Sequence, residues 1–461
     1  MIKRISSSFK DKYSQVFIKE KKIIRAVDVI KHSSFNIFFN SNFFKKNNGK
    51  KFLLTKKIKN QEAIKNKIKN FHLFLSQEKL KFVSYPYEWS FTNLKKAAIF
   101  HLDLEIDLLK NNFVFRDGSA YNIQFTNSGP KFIDIASVKK YEPGEIRFAN
   151  KQFLEEFIAP LLISTCNKID FQKIYSIYLN GIPINILSKI LPLVSYFNIF
   201  IYTNIIFFNF LEKFFENKKI LKSKKYTLSK QQYLNNLIYQ KKSIEKLYVN
   251  HKTFWSNYDN QQNYSNSSFL VKVKVLKNFI KKNKFTKGID IGCNNGFFSK
   301  VCLNNGSDFI IGLDNDFNSL EACSNMKINK NKFFLPLYYD FCKPTPGLGF
   351  DSNERLSLEN RLISSKFDFT ICFAAIHHFY IQGRIPLKNI VDKLLRFSNS
   401  GLLEFVTLDD QMVKIMCANL EKNQYDDYSF NNLKNILIKK KKKIIIHQIS
   451  KSRIIIEYYS K

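Results

Sequence analysis

Chemistry is most legible in Gly288-Ile-Asp-Ile-Gly-Cys-Asn-Asn-Gly-Phe-Phe-Ser299, an apolar run that ends in an acid and a glycine, with a second glycine shortly after. A charged cofactor held against backbone at the carboxyl end of a strand needs a turn free of Cβ atoms and a helix that starts there. Gly292 and Gly296 supply that turn, with Cys293 beside the first of them, and Asp290 either organises it or meets a cationic group of the ligand. Two more acids follow at strand-end positions. Asp314 closes Ile310-Ile-Gly-Leu-Asp314, about 20 residues on, where a carboxylate can take both hydroxyls of a ribose. Asp340 closes Leu335-Pro-Leu-Tyr-Tyr-Asp340, whereas Asp316 reads as the cap of the next helix. One such acid alone reads as a solvated strand-end residue; three in register after the right strands do not.

Proton chemistry is suggested by His377 and His378 in Ile371-Cys-Phe-Ala-Ala-Ile-His-His378, since imidazole has a suitable pKa to orient or deprotonate an acceptor. The plain alternative is that one caps the following helix and the other fills space. Glu404, a lone carboxylate in the apolar run Gly401 to Val406, either pairs with a basic neighbour or lines the pocket. Nearer the N-terminus, Phe115-Arg-Asp-Gly-Ser-Ala-Tyr-Asn122 and Phe132-Ile-Asp134 have the form R-D-x-x-x-x-N, then h-h-D. That spacing resembles the catalytic loop and metal-binding acid of protein-kinase-like folds, with Asp117 as base and Asn122 and Asp134 on magnesium. The likeness stops there, because residues 1 to 117 contain one glycine, Gly49, and so no loop to cover nucleotide phosphates. A degenerate kinase-like domain is the expectation; Asn122 and Asp134 would hold metal only if that site were active, and no other metal site is expected.

These residues need elements to hold them. From about Asn266 strands alternate with helices, the pattern of a doubly wound α/β sheet. The expected strands are 287–292, 309–314, 333–339, 367–374, 401–407, 443–449 and 453–459. The last two are separated by so few residues that they must be antiparallel. Upstream, a hairpin is expected over Ser34 to Lys57 around Asn47-Asn48-Gly49, helices over Gln61 to Leu80 and Leu94 to Lys110, a strand-loop-strand passage over Phe113 to Val138, and a mostly helical run to Asn217. The reading is therefore an α+β, mostly helical domain at 1–217, a polar, partly helical connector at 218–264 and an α/β domain at 265–461.

Asp290, Gly292 and Gly296 match D-x-G-x-x-x-G, and the passage resembles motif I of class I S-adenosylmethionine-dependent methyltransferases; the nicotinamide-binding rival has the spacing G-x-G-x-x-G instead. The resemblance implies a Rossmann-like seven-stranded sheet with an antiparallel last hairpin, S-adenosyl-L-methionine on Asp290, Gly292, Cys293, Gly296, Asp314 and Asp340, and His377, His378 and Glu404 as catalytic candidates. For Asp340 it implies a bond from the adenine amino group. Together with Tyr85-Pro-Tyr-Glu-Trp-Ser, the Arg116 to Phe125 passage and Glu404-Phe-Val, most of the chain from about Ser34 is similar to bacterial methyltransferases of the nodulation-associated NoeA-like family. That family implies a small-molecule or glycoconjugate acceptor. RNA or DNA is the alternative, although no N-P-P-Y/F tetrapeptide follows the fourth strand, and a kinase-like binding module fused to a methyltransferase is another.

The formal charge of +36 would point to polyanions. Abundant Lys, Asn, Ile and Phe beside only 14 Gly and 10 Pro instead suggest an A- and T-rich genome. Seven scattered cysteines with no C-x-x-C argue against a disulfide framework or thiolate zinc site and fit a cytoplasmic protein, and no secretory signal is read at the N-terminus. Ile190 to Leu211 is 22 residues without a charge, long enough to span a bilayer. Its Pro and three Asn favour a buried helix of a soluble domain, with no transmembrane anchor and with peripheral membrane contact left open.

Overall fold

The computed structural model describes residues 2–5, 8–20, 22–144, 150–218, 228–249 and 266–460. The chain divides into two compact units, Met1–Asn250 with Gly347–Arg355, and His251–Pro346 with Leu356–Lys461. Much of the stretch read as a connector falls outside the described residues, but its helix Lys230–Glu245 belongs to the first unit. There Tyr233 donates to buried Glu105 at 2.7 Å and Lys241 pairs with Asp103 at 2.6 Å, both on the long helix Phe91–Lys110.

The first unit opens with an antiparallel sheet of β1 (Ile2–Arg4), β2 (Ser14–Lys19), β3 (Lys22–Val27), β4 (Thr55–Lys57) and β5 (Leu73–Gln77), ordered β1-β2-β3-β5-β4. Two ribbons follow: β6 (Phe113–Phe115) pairs with β9 (Val138–Lys140), and β7 (Ile123–Thr126) with β8 (Gly129–Phe132). The hairpin expected over Ser34 to Lys57 is two helices instead, Ser33–Asn40 and Asn42–Asn47, joined where the Ser41 hydroxyl accepts from the Phe44 amide. Phe35 and Phe38 fall one helical turn apart, and both are buried, with Phe38, Phe44 and Phe52 ring on ring. The helix expected over Gln61 to Leu80 shrinks to Glu62–Lys65, because Leu73–Gln77 is captured as a strand between β3 and β4, both its faces covered. Short apolar runs do not reveal their period, so the partner decides.

Ile190 to Leu211 is not one buried helix either. It breaks into the end of the helix Ile184–Ile190, a 3₁₀ turn Leu193–Phe197 and a helical stretch from Ile199 that passes through a π segment, Tyr202–Ile206, into Phe207–Lys218. Two of its three asparagines are satisfied inside: Asn204 accepts from Gln240 at 3.1 Å and Asn209 donates to Ser188 at 2.9 Å. Its other face is exposed. Among the described residues no helix is long and apolar enough to cross a membrane.

The second unit is one sheet of seven strands: β10 (Lys287–Ile291), β11 (Phe309–Asp314), β12 (Phe333–Tyr338), β13 (Phe369–Cys372), β14 (Gly401–Val406), β15 (Lys442–Ser450) and β16 (Arg453–Ser460). Their order is β12-β11-β10-β13-β14-β16-β15, parallel through β14 and antiparallel for β16 against both neighbours. Each expected strand is present, with ends moved by one or two residues. The central strands are apolar on both faces because helices cover both. The core on one side is built from Leu276, Phe279 and Ile280 of the helix Asn266–Asn283 against Ile310, Phe369, Ile371 and Leu402.

Candidate functional site

The chain leaves β10 towards β11 and β12 and then returns to β13 on the other side of β10, so a crevice opens at the carboxyl ends of β10 and β13. The turn after β10 is strongly shaped. Gly292 (φ 69°), Asn294 (φ 47°) and Gly296 (φ 80°) are all left-handed, and Gly296 opens the helix Phe297–Asn304. Asn294, which tolerates this conformation better than most side chains, holds a position the sequence reading passed over. The amides of Gly292 and Cys293 donate to the Leu313 carbonyl at 2.8 and 3.1 Å, tying the turn to β11.

Asp314, partly exposed at the tip of β11, joins the two loops: Oδ2 accepts the Asn294 amide at 2.8 Å and Oδ1 the Asp316 amide at 2.9 Å. Burial raises its carboxyl to about 6 against the pull of those amides. Asp290 is buried and accepts from the Ser299 hydroxyl at 2.6 Å; burial raises it to about 7. It therefore fastens the turn to the following helix, the first of the two roles open to it. Asp316 caps the helix Phe317–Ser324 by accepting the Ser319 amide at 2.8 Å. Asp340 lies beyond β12 and accepts the Cys342 and Lys343 amides at 3.0 and 2.9 Å, closing its own turn while staying partly exposed.

A Cβ on Gly296 would not enter the ligand space but would strike Met326 Cε at 2.3 Å and Cys323 and Phe334 at 3.1 Å, so glycine is dictated here by φ and by core packing. The Cys293 amide is bonded to β11 and its carbonyl to the Gly296 amide at 2.9 Å, and its sulfur packs in the core 3.9 Å from Cys323 Sγ.

Beyond β13 the chain passes through Ala374 (φ 48°) into His377 and His378, whose rings lie 4.2 Å apart. His377 is buried, and among the described residues its Nδ1 has no hydrogen-bond partner. Burial holds its imidazole well below the usual range, helped by His378 and by the cations of Arg453 and Lys272, so it is neutral. His378 meets Gln382 at 3.1 Å, and burial lowers it too. Glu404, fully buried in β14, pairs with basic neighbours: it is clamped between Lys272 Nζ at 2.5 Å and Arg453 at 3.3 Å. Arg453 also holds Asp410 at 3.1 Å, and Lys272 lies 4.8 Å over the rings of Phe298 and Phe373. Sequence reasoning missed Lys272, though a lysine among Phe269, Leu276 and Phe279 on one apolar helix face was the available signal.

In the first unit Asp117 accepts the Ser119 amide at 3.1 Å and Gln152 at 2.9 Å, with its carboxyl raised chiefly by burial. Asn122 ends a 3₁₀ turn, where its carbonyl accepts the Ile133 amide at 2.8 Å. Asp134 is bound by Arg25, from β3, at 2.6 Å and by the Ser137 hydroxyl at 2.6 Å. Arg25 in turn reaches Gln77, Ser14 and the Ile133 carbonyl. Among the described residues no group of three or more His, Cys, Asp or Glu could hold a metal ion.

No family model matches the chain. Among solved structures it is similar to N-methyltransferase NodS from Bradyrhizobium japonicum WM9 (8% identity, 43% of this chain and 99% of that one, TM-score 0.29) and to a SAM dependent methyltransferase from Aquifex aeolicus (15%, 45% and 98%, TM-score 0.29). It is also similar to WbdD bound to the kinase inhibitor LY294002 (14%, 47% and 46%, TM-score 0.27). TM-scores of this size do not carry the fold assignment, which rests on strand order and the turn after β10. The nodulation protein NoeA of Rhizobium meliloti (strain 1021) is 30% identical over 470 residues, 98% of this chain and 94% of that protein. Matched almost end to end at that identity, the chain belongs to the NoeA family, and its second unit has the strand order of the class I methyltransferase fold behind this turn.

Proposed function

We propose that the second unit transfers a methyl group from S-adenosyl-L-methionine to a small-molecule or glycoconjugate acceptor. The observation that carries the reading is the left-handed turn Gly292 to Gly296 held to the partly exposed Asp314 at the strand-order reversal. The residues fit the cofactor: Asp314 keeps acceptor capacity for ribose hydroxyls beyond its two amides, and Asp340 is placed after the next strand over. The bound sulfonium supplies an electrophilic methyl. The neutral His377 and His378 supply an orienting group or a base that takes the acceptor's proton as its heteroatom bonds to the methyl carbon. Calorimetric titration of the full chain should detect the cofactor, and Asp314→Ala should weaken binding by roughly 1–3 kcal/mol, the range for a hydrogen bond to a charged group. Unchanged affinity would remove the reading.

The first unit we assign to acceptor recognition rather than phosphate transfer. Support comes from Arg25 lying on Asp134, where a magnesium ion would have to sit, and from the missing phosphate-covering glycines. The seven cysteines, all free, support a cytoplasmic setting. RNA or DNA as acceptor is favoured by the charge of +36 alone, and a weak dependence of acceptor affinity on salt would dismiss it.

A further inference from the structure

In the first unit, the 3₁₀ turn Leu193–Phe197 and the helical stretch that follows leave one apolar face uncovered: Leu193 is 78% exposed, Val194 73%, Phe197 90%, Ile199 73% and Phe210 59%. Single exposed apolar residues are ordinary, but so many in under 20 residues of sequence are not. The aromatic rings are ordered. Tyr202, Phe207, Phe210 and Phe214 stack in sequence at 6.5, 6.4 and 6.3 Å between centroids, forming a ladder along the helix.

We propose that this face docks on an anionic membrane surface. The first argument is form. Side chains as exposed as Leu193, Val194, Phe197 and Ile199 stand out from the surface instead of lining a depression, and a fluid bilayer accepts protruding apolar groups without a matching pocket. The second is charge. Residues 167–228 hold nine lysines against three acids, and one of the acids, Glu212, is neutralised by Lys151 at 3.0 Å. Lys189, on the helix just before the 3₁₀ turn, and Lys213, on the helix that carries Phe210, are exposed and available to lipid phosphates. The third is composition at the boundary: Tyr202 heads the ladder, and tyrosine favours the depth where acyl chains meet headgroups. The buried Asn204 and Asn209 bonds fix the opposite face to the rest of the unit, so the contact lies flat on the surface and does not span it.

Co-sedimentation of the full chain with vesicles of phosphatidylcholine, with and without phosphatidylglycerol, tests this. Wild type should pellet with the anionic vesicles and at least tenfold less with the neutral ones. Val194→Asp/Phe197→Asp, whose side chains are too exposed to matter for folding, should cut anionic binding at least tenfold, and Lys189→Gln/Lys213→Gln should lower it and flatten its salt dependence. Phe197→Trp should shift its emission to the blue only when anionic vesicles are added. No binding by wild type, or binding untouched by the aspartates, would overturn the proposal. So would a wild-type dimer in sedimentation velocity that the aspartates convert to monomer without any vesicle binding, which would make a second copy the occupant.

Discussion

A carboxyl group as deeply buried as that of Asp290 favours its protonated form, and this gives the ligand-free protein a pH dependence of definite sign. With a folded-state value of about 7 against an ordinary 3.8, the stability it contributes is complete below the ordinary value and is lost as pH rises through 7. Asp290→Asn, which can still accept from Ser299, should flatten that loss and raise the melting temperature at pH 8 without cofactor while weakening cofactor binding; calorimetry at pH 5 and 8 reads both. The network around Glu404 is the converse case, ions paired in the interior. Lys272→Met leaves one buried cation, Arg453, against the two carboxylates of Glu404 and Asp410 and should cost about 3–5 kcal/mol in urea unfolding, whereas Lys272→Met with Glu404→Leu should recover much of it. At this scale the sequence was informative about strand ends and poor about interiors. Asp290, Asp314 and both histidines lie where a strand-end reading puts them, but Lys272 and Arg453, distant from Glu404 along the chain, meet it only through the fold.

At the scale of elements, the turn after β10 is held by backbone conformation and by packing together. Gly296→Ala forces a Cβ into Met326 and keeps a left-handed φ, for an expected loss of about 2–4 kcal/mol from strain plus overpacking. Asn294→Gly should be neutral or stabilising by a few tenths, about 0.5 kcal/mol, because glycine takes φ 47° without cost. Thermal or urea unfolding of the two variants would separate these signs. The five parallel strands of the second unit were legible because parallel strands buried on both faces are continuous apolar runs. The first unit was less so. Its Phe-rich and Leu-rich runs carry no clear period, and Leu73–Gln77 becomes a strand only because β3 and β4 lie ready on either side. Arg25 joins that sheet to the loop of Asp134. Arg25→Met should destabilise the first unit by about 3–5 kcal/mol without producing magnesium-dependent ATP turnover, since no glycine loop grips the phosphates.

At the scale of the whole molecule, a chain beginning at His251 should still bind cofactor, since every residue of the turn and strand ends lies in the second unit, while methylation of an acceptor found by methyl-mass profiling of cells should fall to background. Retained acceptor turnover by that fragment would count against a recognition role for the first unit. The division of the chain is not a single cut, however, because Gly347–Arg355 returns to the first unit, where Arg355 lies 4.2 Å over the Tyr121 ring and Glu354 pairs with Lys10 at 2.6 Å. Synthesis on the ribosome runs in one direction. The first unit therefore cannot be finished when its own continuous stretch has emerged; at about 5–20 residues per second, it must wait several seconds for its last piece. Over that interval Lys10 and Tyr121 stand without their partners, and a nascent chain arrested before residue 355 should be cleaved by protease in its N-terminal half faster than one arrested well beyond it.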